Sequence, residues 1–163
     1  MRRGYLSISF VAILVASGLV MACASTAAQE KAQKEKAQQS LYARLGGYDA
    51  IAAVTDDFLG KLANDPQLGR FFTGMSTDSR NRSRQLIVDF ICAGTGGPCV
   101  YIGRSMKATH KGLGITESDW EVSVKYLVGT LDKFKVPKQE KDELLSVVSS
   151  LKGDIVEGAV RKE

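Results

Sequence analysis

The sequence predicts an all-α fold, and three observations predict it. Apolar residues recur at helical spacing in successive segments between Ile51 and Ile155. Glycine and proline clusters, Gly94-Thr95-Gly96-Gly97-Pro98 above all, fall where that periodicity stops. No sustained period-two run bounded by turn residues occurs in the sequence, so no strand is expected. With 163 residues, 44% hydrophobic and 25% charged, the chain is ordinary globular material for one domain, without an internal repeat.

The N-terminus reads as an address. Met1-Arg2-Arg3 precedes an apolar run from Tyr5 to Ala22, the layout of a secretory signal peptide. Leu19-Val20-Met21-Ala22-Cys23 resembles the bacterial lipobox, which implies that Cys23 is lipidated and becomes the new N-terminus. The alternatives are an uncleaved anchor, since the run is just long enough to span a bilayer, and plain cleavage near Ala22. On each reading the remainder faces an oxidising space outside the cytoplasm. Residues 24–40 contain no large apolar side chain, so they bury nothing and read as a solvated tether, transiently helical from their Ala, Glu, Lys and Gln content. The expected organisation is a signal peptide over 1–22, a polar tether over 23–40 with lipidated Cys23, and a folded domain over 41–160.

The folded part is read element by element. Tyr48-Asp49 offers an N-cap, after which Ile51, Val54, Phe58, Leu59 and Leu62 form one stripe. Pro66 opens a turn that ends in Phe71-Phe72. A second helix starts near Asp78, turns Leu86, Ile87, Phe90 and Ile91 inward with Arg80, Arg82 and Arg84 outward, and stops at the glycine cluster. Thr116-Glu117-Ser118-Asp119 is a capping box with Asp in place of the usual Glu; it starts a helix through Trp120, Val124, Leu127, Val128, Leu131 and Phe134. Val136-Pro137 breaks it, and a last helix aligns Leu144, Leu145, Val148, Leu151 and Ile155.

Composition narrows the chemistry. The formal charge is only +4, with Arg2 and Arg3 supplying half of it, and no basic stripe is interleaved with aromatics, so nucleic acid is not an expected partner. A single histidine, His110, rules out a multi-histidine zinc or copper site, and the spacing of Cys23, Cys92 and Cys99 rules out a CxxC pair or a zinc ribbon. His110 closes the run Met106-Lys107-Ala108-Thr109-His110, with Met106 one turn earlier on the same face and glycines after it. That layout aims one imidazole from a helix end into an apolar bundle and suits a single axial ligand to a metal macrocycle. Without a Cys-x-x-Cys-His motif such a group would be held non-covalently. The plain alternative is a surface or helix-end histidine in a structural module.

The run from Leu41 to about Glu157 resembles a group I truncated haemoglobin, the two-over-two helical globin. Leu41-Tyr42-Ala43-Arg44-Leu45-Gly46-Gly47, Phe71-Phe72, Gly96-Gly97-Pro98 with Tyr101 and Gly103, and Met106 to His110 followed by Gly114-Ile115-Thr116 carry the resemblance, in that order. It implies one haem b per chain with His110 as the proximal ligand to iron and Phe72 packed on the macrocycle at the turn before the distal helix. Phe58, Met106, Ile115, Trp120 and Val124 are expected to line the pocket, with plain core packing as the alternative for each. Arg104, Lys107 and Lys111 are candidates for the propionates, with solvated surface charge as their alternative.

The distal side departs from the family pattern. Counting without gaps from Leu41, Leu59 falls where many members place a tyrosine that donates to bound oxygen. The stretch from Phe72 to Gly96 is longer than usual, which leaves two registers over the iron: Arg80 with Arg84, or Ser83 with Ile87. The second is preferred, because Ile87, Phe90 and Ile91 then share the buried stripe while the arginines stay solvated. Cys92 and Cys99 bracket the glycine turn; with Cys23 committed to lipid they form an even pair, which leaves two readings open, the first a disulfide that closes this loop in an oxidising compartment. Two free thiols, with Cys92 simply a buried apolar residue, are the alternative.

The functional expectation is a membrane-tethered haemoprotein outside the cytoplasm that binds oxygen or nitric oxide and serves gas handling, nitric oxide detoxification or redox sensing. Outer-membrane sorting follows only by analogy, from the absence of Asp after Cys23. Conversion of nitric oxide to nitrate, the reaction the resemblance implies, needs an electron donor, and the chain has no GxGxxG motif to bind a flavin or nicotinamide. The alternative is a haem-free helical envelope lipoprotein acting as an interaction module.

Overall fold

The computed structural model describes residues 38–157, and from Ser40 onward the described residues belong to one compact unit. The expected signal peptide and lipobox-like run, and nearly all of the expected tether, therefore lie outside the described residues. Among those described, every regular element is helical. None of these helices is long and apolar enough to cross a membrane.

The first short helix, α1 (Leu41–Arg44), is capped by Ser40, whose Oγ accepts from the Ala43 amide at 3.3 Å. Helical periodicity gave no sign of it, because four residues are too few to repeat. The next helix, α2 (Gly47–Asn64), begins after Gly46 at φ 96° rather than behind a side-chain cap, and Asp49 sits in its first turn. The expected Tyr48-Asp49 cap is thus replaced by a left-handed turn that glycine makes without steric cost. Asp65 ends α2 and starts the following turn by accepting from the amides of Gln67 and Leu68, each at 2.8 Å, and from the Tyr126 hydroxyl at 2.7 Å. A single 3₁₀ turn, Gly69–Phe72, places the two phenylalanines.

Helix α3 (Thr77–Gly94) is capped by Ser76 and ends where the glycine cluster begins. A Cys92–Cys99 disulfide, with Cα atoms 5.8 Å apart, closes that cluster. Gly97 lies so tightly inside it that a Cβ there would stand 2.5 Å from the Tyr42 ring and 2.7 Å from Cys92 Sγ. Tyr101 then packs edge-on against Phe90, with centroids 5.1 Å apart, and donates to the Arg104 carbonyl at 2.6 Å. This braced segment delivers the chain to α4 (Met106–His110).

Helix α5 (Glu117–Lys133) opens with the expected capping box: the Asp119 amide donates to Thr116 Oγ1, and the Thr116 amide donates to the Asp119 carboxylate. Helix α6 (Lys138–Ser150) follows Pro137. The last predicted helix is divided, because α6 stops at Ser150 and α7 (Lys152–Ile155) begins after Leu151. The stripe from Leu144 to Ile155 is therefore not one face of one helix.

Two apolar clusters hold the layers. Ile51, Val88 and Cys92 join α2 to α3, with Tyr42, Tyr48 and Cys99 packed around them. Leu127, Leu131 and Leu144 join α5 to α6, and Val54 and Phe58 of α2 pack onto them. Between these clusters α2 is shared, which produces the sandwich of two helix pairs. Polar ties reinforce it: the Arg44 guanidinium reaches Glu140 at 3.4 Å and Glu143 at 2.9 Å, and Asp57 accepts from Thr130, Lys61 and Lys133. Asp119, 1% exposed, accepts from Gln67 and Arg70 as well as Thr116, and so fastens the Phe71-Phe72 turn to the start of α5.

Burial alone would push the Asp119 carboxyl up, but the bonds from Gln67 and Thr116 and the Arg70 charge hold it below its ordinary value of 3.8. Asp65 is held low by the Tyr126 hydroxyl and by two amides. Groups depressed in the folded state stabilise it fully above the unfolded pKa and cease to do so as pH falls through the folded one. The thermal midpoint is therefore expected to drop as pH falls below about 4, where carboxylates of ordinary pKa take up protons. Asp119→Ala should cost about 2 kcal/mol at neutral pH by removing the capping box of α5 and the shared acceptor of Gln67 and Arg70, measured by urea unfolding. Reducing the Cys92–Cys99 bridge, which closes a loop of about eight residues, should remove about 2.5 kcal/mol on the chain-entropy model, read as a lower midpoint with dithiothreitol.

Candidate functional site

His110 is the last residue of α4, whose start is capped by Ser105 accepting from the Ala108 amide at 3.2 Å. Its ring is half-buried, and Nδ1 lies 2.8 Å from the Met106 carbonyl oxygen. A carbonyl carries no proton, so Nδ1 must donate, and the neutral ring keeps its lone pair on Nε2. No hydrogen bond to Nε2 from the described residues is present. This is how a metal-binding imidazole is oriented: the far nitrogen is tied to a backbone acceptor and the near one is left basic.

The chain after His110 is equally constrained. Leu113 donates its amide to the His110 carbonyl at 3.2 Å. Gly112 and Gly114, at φ 85° and 64°, turn their amides to the Glu157 carboxylate, and the Glu157 amide donates to the Ile115 carbonyl at 2.9 Å. The sequence shows these residues only as glycines that follow His110, Gly114 among those that carry the resemblance, and it gives no sign of Glu157, which stands more than forty residues away.

The other predicted residues divide into two groups. Phe58 packs against the Leu127-Leu131-Leu144 cluster, and Trp120 is buried at the start of α5, so ordinary packing accounts for both. Leu59, Phe72, Ser83, Ile87, Met106, Ile115 and Val124 are half-buried and pack on neither cluster. Apolar side chains at core-facing spacing that remain partly open are what a flat apolar group inserted among these helices would cover. Among the described residues no group of three or more His, Cys, Asp or Glu could hold a bare metal ion. A lone tethered imidazole in a chain with half-covered apolar side chains thus fits a metal carried by its own macrocycle.

On the distal helix Arg84 forms a two-pronged ion pair with Asp56 of α2, through Nε at 2.5 Å and a terminal nitrogen at 2.8 Å. The Arg84 hydrogen bond holds the Asp56 carboxyl below its usual range. Arg80 is exposed, as are Arg104, Lys107 and Lys111.

The fold and this site define a globin: a sandwich of helix pairs that carries one tethered imidazole at the end of α4 and half-buried apolar side chains on α2, α3 and α5. A family model for bacterial-like globins matches residues 40–157. The chain belongs to that family, and within it to the group 1 truncated haemoglobins. It is 34% identical over 123 residues to the group 1 truncated haemoglobin GlbN of Mycolicibacterium paratuberculosis, covering 76% of this chain and 88% of that one. It is 31% identical over 136 residues to the group 1 truncated haemoglobin LI410 of Chlamydomonas moewusii, covering 82% and 77%. Among solved structures it matches the 2/2 haemoglobin from Synechococcus sp. PCC 7002, in the cyanomet state and with covalently attached haem, at a TM-score of 0.66 and 30% identity. That match covers 72% of this chain and 98% of the other. The family is one of haem proteins that bind diatomic gases, with haem b its usual cofactor.

Because Arg84 is bound to Asp56 across two partly exposed helix faces, Arg84→Ala should cost less than about 1 kcal/mol in urea unfolding. Gas dissociation from the haem-loaded variant should stay within about twofold of the parent by flash photolysis, since RT ln 2 is about 0.4 kcal/mol. A large change would place the arginine over the iron instead.

Proposed function

We propose that this chain binds haem b with His110 Nε2 as its proximal ligand and uses it to bind oxygen or nitric oxide. The observation that carries the reading is the hydrogen bond from His110 Nδ1 to the Met106 carbonyl, which leaves one basic ring nitrogen facing away from the helix. When bound, haem would supply the iron that takes up a diatomic gas. Phe72 and Ile115 would pack on the macrocycle, and Leu59, Ser83 and Ile87 would face the gas. That distal set offers the Ser83 hydroxyl as its only side-chain donor, and water is excluded by apolar bulk. Such a pocket releases oxygen readily and favours gas exchange or sensing over steady nitric oxide turnover. Turnover to nitrate would further require an external reductant.

For the chain's place in the cell, we infer export and tethering from its first residues. The lipobox-like Leu19-Val20-Met21-Ala22-Cys23 supports export, acylation of Cys23 and a gas-binding domain held at a membrane outside the cytoplasm by a short polar tether. The Cys92–Cys99 bridge is in keeping with an oxidising compartment.

Purified protein should show a Soret band that His110→Ala abolishes and added imidazole restores. A colourless parent that haem does not reconstitute would sink the proposal. Mass spectrometry of the mature chain should find an acylated N-terminal Cys23, and an intact precursor or an unmodified mature N-terminus would exclude the tethered form.

A further inference from the structure

We infer that Glu157 is a positioning residue for the proximal histidine, acting through the turn that follows His110; this rests on the haem reading above. Successive amides in that turn point in alternating directions. Leu113 donates inward to the His110 carbonyl, whereas Gly112 and Gly114 donate outward to the two oxygens of the Glu157 carboxylate, the latter at 3.2 Å. The left-handed φ angles of both glycines create this arrangement, a concave pair of amides of the kind that receives anions. Here the anion is a side chain of the same protein.

The strap has a second fastening. The Glu157 amide donates to the Ile115 carbonyl, so one residue grips the turn by side chain and backbone at once. It reaches that position because α7 packs beside α4 and ends two residues earlier. The His110 ring is aimed by Met106 from within the helix, but the backbone bearing that ring is held from outside the helix by Glu157. Five residues form too short a helix to keep its own end in place, since only its last amides find carbonyls one turn back. Removing the carboxylate frees the Gly112 and Gly114 amides to water and lets the His110 backbone tilt. The imidazole nitrogen then no longer keeps one distance and angle to its ligand.

Three full-length proteins test this: the parent, Glu157→Ala and Glu157→Gln. In the haem-free proteins, the Gly112 and Gly114 amide resonances should shift upfield and exchange faster in Glu157→Ala. Glu157→Gln, with one acceptor oxygen, should keep one of the two. In the haem-loaded proteins, haem transfer to an excess of a tighter-binding apoprotein should be about tenfold faster in Glu157→Ala and intermediate in Glu157→Gln, in line with the loss seen on removing outer-sphere supports. The ferrous iron–histidine stretch should broaden in the same order. Unmoved glycine amides overturn the inference by showing that the contact is absent. Moved amides with an unchanged transfer rate and iron–histidine line overturn it by reducing Glu157 to a structural tie. A parent that takes up no haem is a separate result, because it defeats the haem reading itself and is seen before any variant is made.

Discussion

The hydrogen bond from His110 Nδ1 to the Met106 carbonyl is the constraint on which the rest of the site depends. Alone, an imidazole at a helix end rotates about two bonds and exchanges its proton between nitrogens. Fixing one nitrogen to a carbonyl one turn back selects the tautomer, sets the ring plane and leaves a single lone pair. The surroundings then serve to hold five residues of helix in place. Before α4 the chain is braced by the Cys92–Cys99 bridge, by Gly97 pressed beneath Tyr42, and by Tyr101 against Phe90. After α4 it is braced by the Glu157 carboxylate. A helix this short is not stable by itself, so its position is supplied by both flanks.

How far the sequence displayed this depends on the range of each interaction. Local signals were legible: the Thr116-Asp119 capping box, the stop at the glycine cluster and the break at Pro137 all act within four residues. Helical spacing also located α2, α3, α5 and α6, because each has a face long enough to repeat. What stayed hidden was set by distant partners. Arg44 belongs to α6 through Glu140 and Glu143, and the Asp119 that caps α5 also receives Gln67 and Arg70 from the turn after α2. The start of α2 was misplaced because a left-handed glycine turn does the work expected of a side-chain cap. The final helix was drawn too long because its apolar spacing continues across Leu151, where the backbone ends one helix and starts another.

The candidate site was legible in its centre and not in its supports. His110 stood out as the single histidine in a helix-end run followed by glycines. Counting cysteines leaves Cys92 and Cys99 between a disulfide and two free thiols, and the structure joins them. Glu157 had no local signature: a carboxylate near the end of an amphipathic segment looks like any solvated charge. Arg84 shows the converse case. Its charge made it a candidate for the distal pocket, but Asp56, on the neighbouring helix and twenty-eight positions away, supplies the partner that keeps it at the surface.

The distribution of packing separates what maintains the fold from what maintains the site. The tightly buried clusters lie where α2 meets α3 and where α5 meets α6, with Val88 and Leu131 at 0% and 1% exposure. The pocket residues expected from the sequence, Leu59, Phe72, Ile87, Met106, Ile115 and Val124, are only half-covered, and they are spread over α2, α3, α4, α5 and the turns between them. A ligand that fills this region supplies part of the core the chain lacks, so its binding free energy is added to the stability of the folded state. Clusters that do not include His110 would let the chain fold before the group arrives. The half-covered side would then close around it, with orientation set by one imidazole rather than by a cage of ligands.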